Sequence, residues 1–193
     1  MPVTSSPNYN PEQMSQLIAV ARQAIKDYFS GTHHAPPLSD YDRELQANGA
    51  CFVTLEVNHQ LQGCLGSLIA YIPLVEEVYN KAHSACYQDH RFSPLEESQL
   101  EQLTIEVSVL SQPVELPVSN EQMLIDYLKQ HPLGVILSEG SRRAVFLPQV
   151  WKQLPQADQF LDHLKIKGGW PGDYWSTHMK IEIFTVTNAK EVF

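Results

Sequence analysis

The chain has no block of basic residues, no long apolar run and few cysteines, and each shortage removes a class of function. Its 193 residues carry 13 Lys and Arg against 22 Asp and Glu, a formal net charge of −9. The densest basic spots are Arg142-Arg143 and Lys165 with Lys167. A basic stripe able to neutralise phosphates is therefore missing, and nucleic acid is not expected as a partner. No apolar run approaches the roughly 18–20 residues that span a bilayer. Residues 1–11 are polar, without a basic and then apolar leader, so neither membrane insertion nor secretion is expected. The three cysteines, Cys51, Cys64 and Cys86, are an odd number at wide spacing. That is no disulfide framework, and a reducing cytoplasm is the expected location. Walker loop, GxGxxG fingerprint, GxSxG elbow and HExxH are all absent, which leaves the common nucleotide, serine-hydrolase and zinc-protease chemistries without support. No cofactor is expected.

What is present is an ordinary globular composition, 43% hydrophobic and 18% charged, enough for one good core with room for a small second lobe. Residues 1–10 read as a loose tail before a single domain over 11–193. Asn10 is placed to cap a first helix, with Pro11 in its first turn and Gln13 at the capping-box position. Met14, Leu17, Ile18, Ala21 and Ile25 then fall on one helical face. Residues 31–39, with His33-His34 and Pro36-Pro37, read as a linker, and a short helix is expected over 40–47.

Residues 51–57 and 61–68, joined by Asn58-His59-Gln60, predict an antiparallel hairpin. Pro73 opens a helix to about Tyr87, with Leu74, Val78, Ala82 and Ala85 as its apolar stripe. Residues 103–110 predict a strand, 112–117 a loop, and Ser119 the cap of a helix from Glu121 to Gln130. A second hairpin is expected from 134–138 and 142–146. Short helices follow over 148–153 and 158–164, and one closing strand over 179–187. Helices and antiparallel hairpins interleave without repeated βαβ units, so the fold class is α+β, an antiparallel sheet with flanking helices.

The second strand of the first hairpin carries the chemistry. Leu61-Gln62-Gly63-Cys64-Leu65-Gly66 places a thiol between two glycines, and glycine inside a strand marks a bulge or a close approach. Cys64 is the candidate nucleophile; the cations able to activate it, Arg91, Arg143 and Lys167, come from distant sequence. A small hydrophobic side chain in a tight strand is the alternative for the same residue. His83, Cys86 and His90 share a helix face if the helix runs on. The break after Asp89 moves His90 off that face, and zinc-type pairs of Cys or His are missing, so no metal is expected. Asp89, Arg91 and Phe92 form a compact polar and aromatic cluster past that helix. Trp170 and Trp175 flank a loop punctuated by Pro171-Gly172.

Taken together, these blocks resemble the AMMECR1 domain family, whose bacterial and archaeal members are called AmmeMemoRadiSam system protein A. The resemblance rests on Leu61-Gln62-Gly63-Cys64-Leu65-Gly66, Asp89-x-Arg91-Phe92-x-Pro94, Leu147-Pro148-Gln149-Val150 and Leu164-x-x-Lys167-Gly168-Gly169-Trp170-Pro171…Trp175, with the Glu191-Val192-Phe193 ending. It covers roughly residue 40 to the C-terminus and, more weakly, the first helix. It implies an α+β domain with a large and a smaller subdomain and a cleft between them that gathers the motif residues. It also implies a Memo-like protein and a radical SAM enzyme as partners, with a small-molecule ligand. On that basis Cys64, Asp89 and Arg91 are the expected catalytic residues, and Gly63, Gly66, Phe92, Lys167 and Trp170 the expected substrate contacts. The rival is a non-catalytic protein- or peptide-binding module using Trp170, Trp175 and Phe92 as anchors. One departure stands out: family members carry arginine before the Gly-Cys, and this chain has Gln62, a neutral amide in place of a planar cation.

Overall fold

The computed structural model describes residues 9–193, so nearly all of the expected tail over 1–10 lies outside the described residues. Within them the chain divides into two compact units. One holds residues 9–111 with Thr187–Phe193, the other Gln112–Val186. Each has its own hydrophobic core.

The first unit begins with α1, Pro11–Ser30, and its start follows from side-chain chemistry. Asn10 Oδ1 accepts from the Gln13 N–H at 2.8 Å, and Gln13 Oε1 accepts from the Asn10 N–H at 3.0 Å. Two donors that the helix leaves orphaned are thus satisfied reciprocally. The far end stops at Gly31, whose φ of +65° closes the helix in the left-handed conformation that glycine adopts without strain. The predicted apolar face is fully buried. Residues 40–47 are shorter in helix than expected: a 3-10 turn at Leu38–Asp40 and the single turn α2, Arg43–Gln46.

Strands β1, Ala50–Val57, and β2, Gln60–Gly66, form the first hairpin around Asn58 and His59, both at positive φ. The second strand ends at Gly66, two residues before the expected end. Helix α3, Leu74–Ala85, follows Pro73 and stops before the expected Tyr87, with Cys86 as its cap. Strand β3, Leu103–Leu110, falls where the alternation predicts, and the sheet is completed by β8, Val186–Val192, in the order β2-β1-β3-β8. Leu17, Ile18, Ala21, Val53, Leu55, Val78, Ala82, Ile105 and Val107 join α1 and α3 to one face of this sheet. The C-terminus is tied down by Arg22, which donates to Glu191 at 3.1 Å and to the Val192 carbonyl at 3.0 Å.

The second unit has strands β4, Val114–Glu115, β5, Gly134–Glu139, β6, Arg142–Phe146, and β7, Lys180–Phe184, in the sheet order β4-β7-β5-β6, with α4, Glu121–Gln130, and α5, Ala157–Lys167. Its hairpin is β5 and β6. The cap of α4 is Asn120, not Ser119: Asn120 Oδ1 accepts from the Met123 N–H at 2.9 Å. Residues 148–153 form a 3-10 turn, Pro148–Lys152, and α5 extends three residues beyond its expected end. Lys165, 1% exposed, is held by Glu121 and by Asp162. Trp151 stacks on Phe160 with ring centres 3.9 Å apart, and its indole N–H donates to the Leu133 carbonyl at 2.8 Å.

The fold class is the expected α+β with flanking helices, its antiparallel strands divided between two sheets. Two expectations about strands are corrected. The single closing strand over 179–187 is β7, Lys180–Phe184, and β8, which belong to different sheets. Both halves have strand-like sequence, and alternation does not encode which neighbour a strand will take. The expected loop over 112–117 contains β4, Val114–Glu115, paired with Ile183 and Glu182; two residues are too few to show a period.

One irregularity decides where the first sheet turns its side chains. Glu56 pairs with Leu61, but Leu55 pairs with Gly63, so Gln62 is an extra residue, a β-bulge. Beyond it Cys64 faces Thr54 and Leu65 faces Val53. Without the bulge each residue of β2 past Leu61 would point to the opposite face. Gly63 is thereby turned inward against the end of α3, where a Cβ would lie 2.4 Å from the Ala85 carbonyl oxygen. Backbone cannot retreat from that contact as a flexible side chain could. Gly63→Ala is therefore expected to destabilise the protein by about 1–3 kcal/mol, as overpacked cores do. A urea melt should show a lower midpoint with an unchanged slope.

Candidate functional site

Cys64 lies on the face of the first sheet that points away from α1 and α3. Its cross-strand partner Thr54 shares that face, whereas Val53 and Leu55 point into the core. The Cys64 N–H is directed outward from the sheet edge, so Thr54 and Cys64 form a non-hydrogen-bonded pair, in which side chains stand closest. The Thr54 hydroxyl donates to Cys64 Sγ at 3.2 Å. Cys64 is half-buried, while Cys51 and Cys86 are buried. Burial pushes the Cys86 thiol up to about 12 and raises that of Cys51 further still. Of the three thiols, Cys64 is the one with surface to react.

Strand β2 is a sheet edge, which ordinarily leaves backbone donors unpaired. Here Asp89, carried by the segment after α3, closes it. Its Oδ2 accepts from the Cys64 N–H at 2.9 Å. The same carboxylate takes Arg91 Nε at 2.8 Å on Oδ1 and Nη2 at 2.6 Å on Oδ2, a bidentate pair. Asp89 is buried, and the Arg91 side chain is 62% exposed. The Arg91 hydrogen bonds hold the Asp89 carboxyl well below the usual range, helped by the Cys64 and Arg91 backbone donors and opposed by burial. Arg91 is shifted upward, first by its bonds to Asp89 and in smaller part by the charge Cys64 can carry. Its guanidinium lies 5.3 Å from the centre of the Phe92 ring. Gln62, at the bulge, donates to the Ser93 carbonyl at 2.7 Å. The Gln62 amide therefore ties the edge strand to the loop carrying Asp89 and Arg91. Gly66 ends the strand where a Cβ would meet the Cys51 carbonyl at 2.4 Å and the Phe52 ring at 2.5 Å.

Gly63, Cys64, Gly66, Asp89, Arg91 and Phe92 thus belong to the first unit. Lys167 and Trp170 belong to the other. There the Lys167 ammonium donates to the Val145 carbonyl at 2.8 Å and sits over the Phe146 ring at 5.0 Å. Trp170 is 3% exposed, in that unit's core and packed over Gly168. Helix α3 ends at Ala85, so His83, Cys86 and His90 do not share a helix face. Cys86 is buried and bonded to the Ala82 carbonyl, His83 is ringed by aromatics, and His90 lies exposed past the helix end. Among the described residues no three His, Cys, Asp or Glu side chains gather as a metal site. No described helix is long and apolar enough to cross a membrane. Thr54 is the functional neighbour that sequence reading missed. Counting across the turn places it opposite Gly63, and only the bulge brings it to Cys64.

Comparison with known proteins gives the class. The AMMECR1 family model matches residues 18–189. The chain belongs to the AMMECR1 family. A Methanopyrus kandleri protein is 33% identical, over 90% of this chain and 86% of its own. A Methanocaldococcus jannaschii protein is 29% identical, over 94% and 91%. The crystal structure of the uncharacterized protein PH0010 from Pyrococcus horikoshii has a TM-score of 0.81 at 29% identity, covering 95% of this chain and 94% of that one. The family match takes in most of α1 as well as the Gly-Cys and Asp-x-Arg-Phe blocks.

The Asp89 carboxylate is a load on the acid side of stability. In the unfolded chain it protonates near 3.8, and in the folded protein well below that. Its contribution is present in full above the unfolded value and is lost as pH falls towards the folded one. Asp89→Asn is expected to cost about 1.5–3 kcal/mol at neutral pH, the range for hydrogen bonds to charged groups. It should also make the loss of stability below about pH 4 shallower. Some slope must remain, because Asp27 is depressed in the same sense. Urea midpoints measured across the acid range check both.

Proposed function

We propose that this AMMECR1-family protein is an enzyme or an enzyme-accessory component in which Cys64 is the reactive or ligand-contacting thiol. The observation that supports this most is the double use of Asp89. One buried carboxylate fixes the Cys64 backbone at 2.9 Å and orients an exposed guanidinium by two bonds of 2.6 and 2.8 Å. An arginine that merely balanced Asp89 would not need 62% of its side chain in solvent. Asp89 uses the Nε and Nη2 edge, and the Nη1 edge remains for the carboxylate or phosphate of a small substrate. The Thr54 hydroxyl, donating to Sγ, stabilises the thiolate formed when Cys64 gives up its proton before attack. Gly66, two residues along the strand and on the Cys64 face, adds no side-chain bulk there, and Phe92 supports Arg91. Partnership with a Memo-like protein and a radical SAM enzyme, in the cytoplasm, belongs to this proposal through the family resemblance.

A binding module is the second reading, and the exposed Arg91 stacked on Phe92 favours it, since arginine and aromatic pairs anchor interfaces. Trp170 is buried in its own unit's core and offers no anchor, which leaves Phe92 beside Arg91.

Brief exposure of the native protein to iodoacetamide, followed by intact-mass and peptide analysis, separates the two. The reactive reading expects one adduct, on Cys64, formed faster than on free cysteine and slowed by at least about threefold in Arg91→Gln as thiolate-stabilising charge is removed. Cys64 reacting no faster than free cysteine, with Cys64→Ser still retaining a partner from the source cell, would leave the binding module.

A further inference from the structure

A second feature of the first unit lies apart from the thiol. Between the end of α1 and the end of α3 is an open cavity of about 350 Å³, lined by Tyr28, Gly31, Thr32, His33, His83 and Tyr87. Four of the six are rings. Tyr28 and Tyr87 are parallel, at 4° and 5.6 Å between centres. His83 stands perpendicular to both, at 86° and 5.9 Å from Tyr28 and 90° and 5.7 Å from Tyr87. His33 closes a further side, 5.8 Å from His83. The volume falls in the range of small-ligand sites.

The rim is built, not incidental. Asp27, 2% exposed, accepts from Tyr79 Oη at 2.6 Å, Gln23 Nε2 at 2.9 Å, Thr32 Oγ1 at 3.2 Å and the His34 N–H at 3.2 Å, and meets His34 Nδ1 at 3.3 Å. These bonds fix residues 32–34 against α1 and α3, so His33 and Thr32 are held as walls before any ligand arrives, which lowers the ordering cost of binding.

The electrostatics select the ligand. No Lys or Arg lines the cavity. Burial raises the Tyr28 phenol and lowers His83, with His33 adding to the latter, so both rings are neutral near pH 7. Burial pushes the Asp27 carboxyl up, but the Tyr79, Gln23 and His34 bonds outweigh it and keep it ionised, and its charge is felt at His83. Electron-rich ring faces around a pocket beside a fixed carboxylate attract a cation and repel an anion. We propose that this aromatic pocket is a binding site for a small organic cation of the alkylammonium class, distinct from the Cys64 site.

Choline and its neutral isostere 3,3-dimethylbutan-1-ol, titrated calorimetrically into the full chain, test the charge requirement. Choline is expected to give a saturable isotherm and the isostere to bind at least about fivefold more weakly, the charge-dependent part of a cation–π contact. Its methyl protons should shift upfield in NMR on adding wild-type protein, because they sit against ring faces. Tyr87, 39% exposed, can be changed without opening the core. Tyr87→Leu should weaken choline by at least about fivefold, Tyr87→Phe should preserve it, and Cys64→Ser should leave it unchanged. Equal binding of the two probes, absence of a saturable isotherm, or an unaltered affinity in a folded Tyr87→Leu would each overturn the proposal.

Discussion

Asp89 is the residue on which the candidate site depends, because one carboxylate meets three separate needs. A sheet edge has to satisfy a backbone donor, and Asp89 takes the Cys64 N–H. A buried charge has to be compensated, and the Arg91 fork does so. A loop after a helix has to be ordered, and Asp89 organises its own turn by accepting from the Arg91 N–H at 3.3 Å, while its carbonyl accepts from Phe92 at 3.0 Å. These needs are not independent. Removing the carboxylate would free the edge donor and the cation at once, so the position of the thiol and the position of the arginine are set by the same group.

The bulge at Gln62 is the second constraint, and it acts by parity. A strand offers its residues alternately to two faces, so one inserted residue decides whether Cys64 or Gly63 points towards the helices. With the bulge, the residue that has no side chain goes inward, where the Ala85 carbonyl leaves no room for one. The thiol goes outward beside Thr54. The two glycines have the meaning that sequence inspection gives them, close backbone approach, but the approaches are on different sides. Gly63 meets the end of α3, and Gly66 meets the Cys51 carbonyl and the Phe52 ring.

How much of this can be read from sequence follows from where each signal is stored. Helix α1 is legible because its boundary is local: the Asn10 and Gln13 bonds span three residues, and its apolar face repeats at helical spacing. The two hairpins are legible for the same reason, through turn residues and alternation. The AMMECR1 family itself is legible from motif blocks. The pairing of Thr54 with Cys64 is not, because Asn58 and His59 fix a register that the bulge then shifts. The split of the last strand is not, because it depends on which sheet each half joins. The end of α3 is legible only approximately: a break near Asp89 is readable and keeps His83, Cys86 and His90 off one face, but the helix stops earlier, at Ala85. Cys86 caps the helix, buried and hydrogen-bonded to Ala82, and His83 is spent on aromatic contacts. Asp89 and Arg91 could be named as a cluster from sequence, but their grip on Cys64 spans 25 residues and needs the fold.

The same short segment also relates the thiol to the aromatic pocket. Ala85 presses on Gly63, Tyr87 walls the pocket, and Asp89 holds Cys64. From Ala85 to Asp89 the side of the chain that matters changes at nearly every residue. A helix continuing through Tyr87 would keep one face towards α1 and present the other to solvent. Ending at Ala85 lets the chain turn, with Gln88 still donating to the Ser84 carbonyl at 2.7 Å and Leu95 to the Cys86 carbonyl at 2.7 Å. Early termination of α3 is therefore what lets one stretch serve both sites. It places a ring on the helical layer and a carboxylate on the sheet edge, within five residues of the same chain.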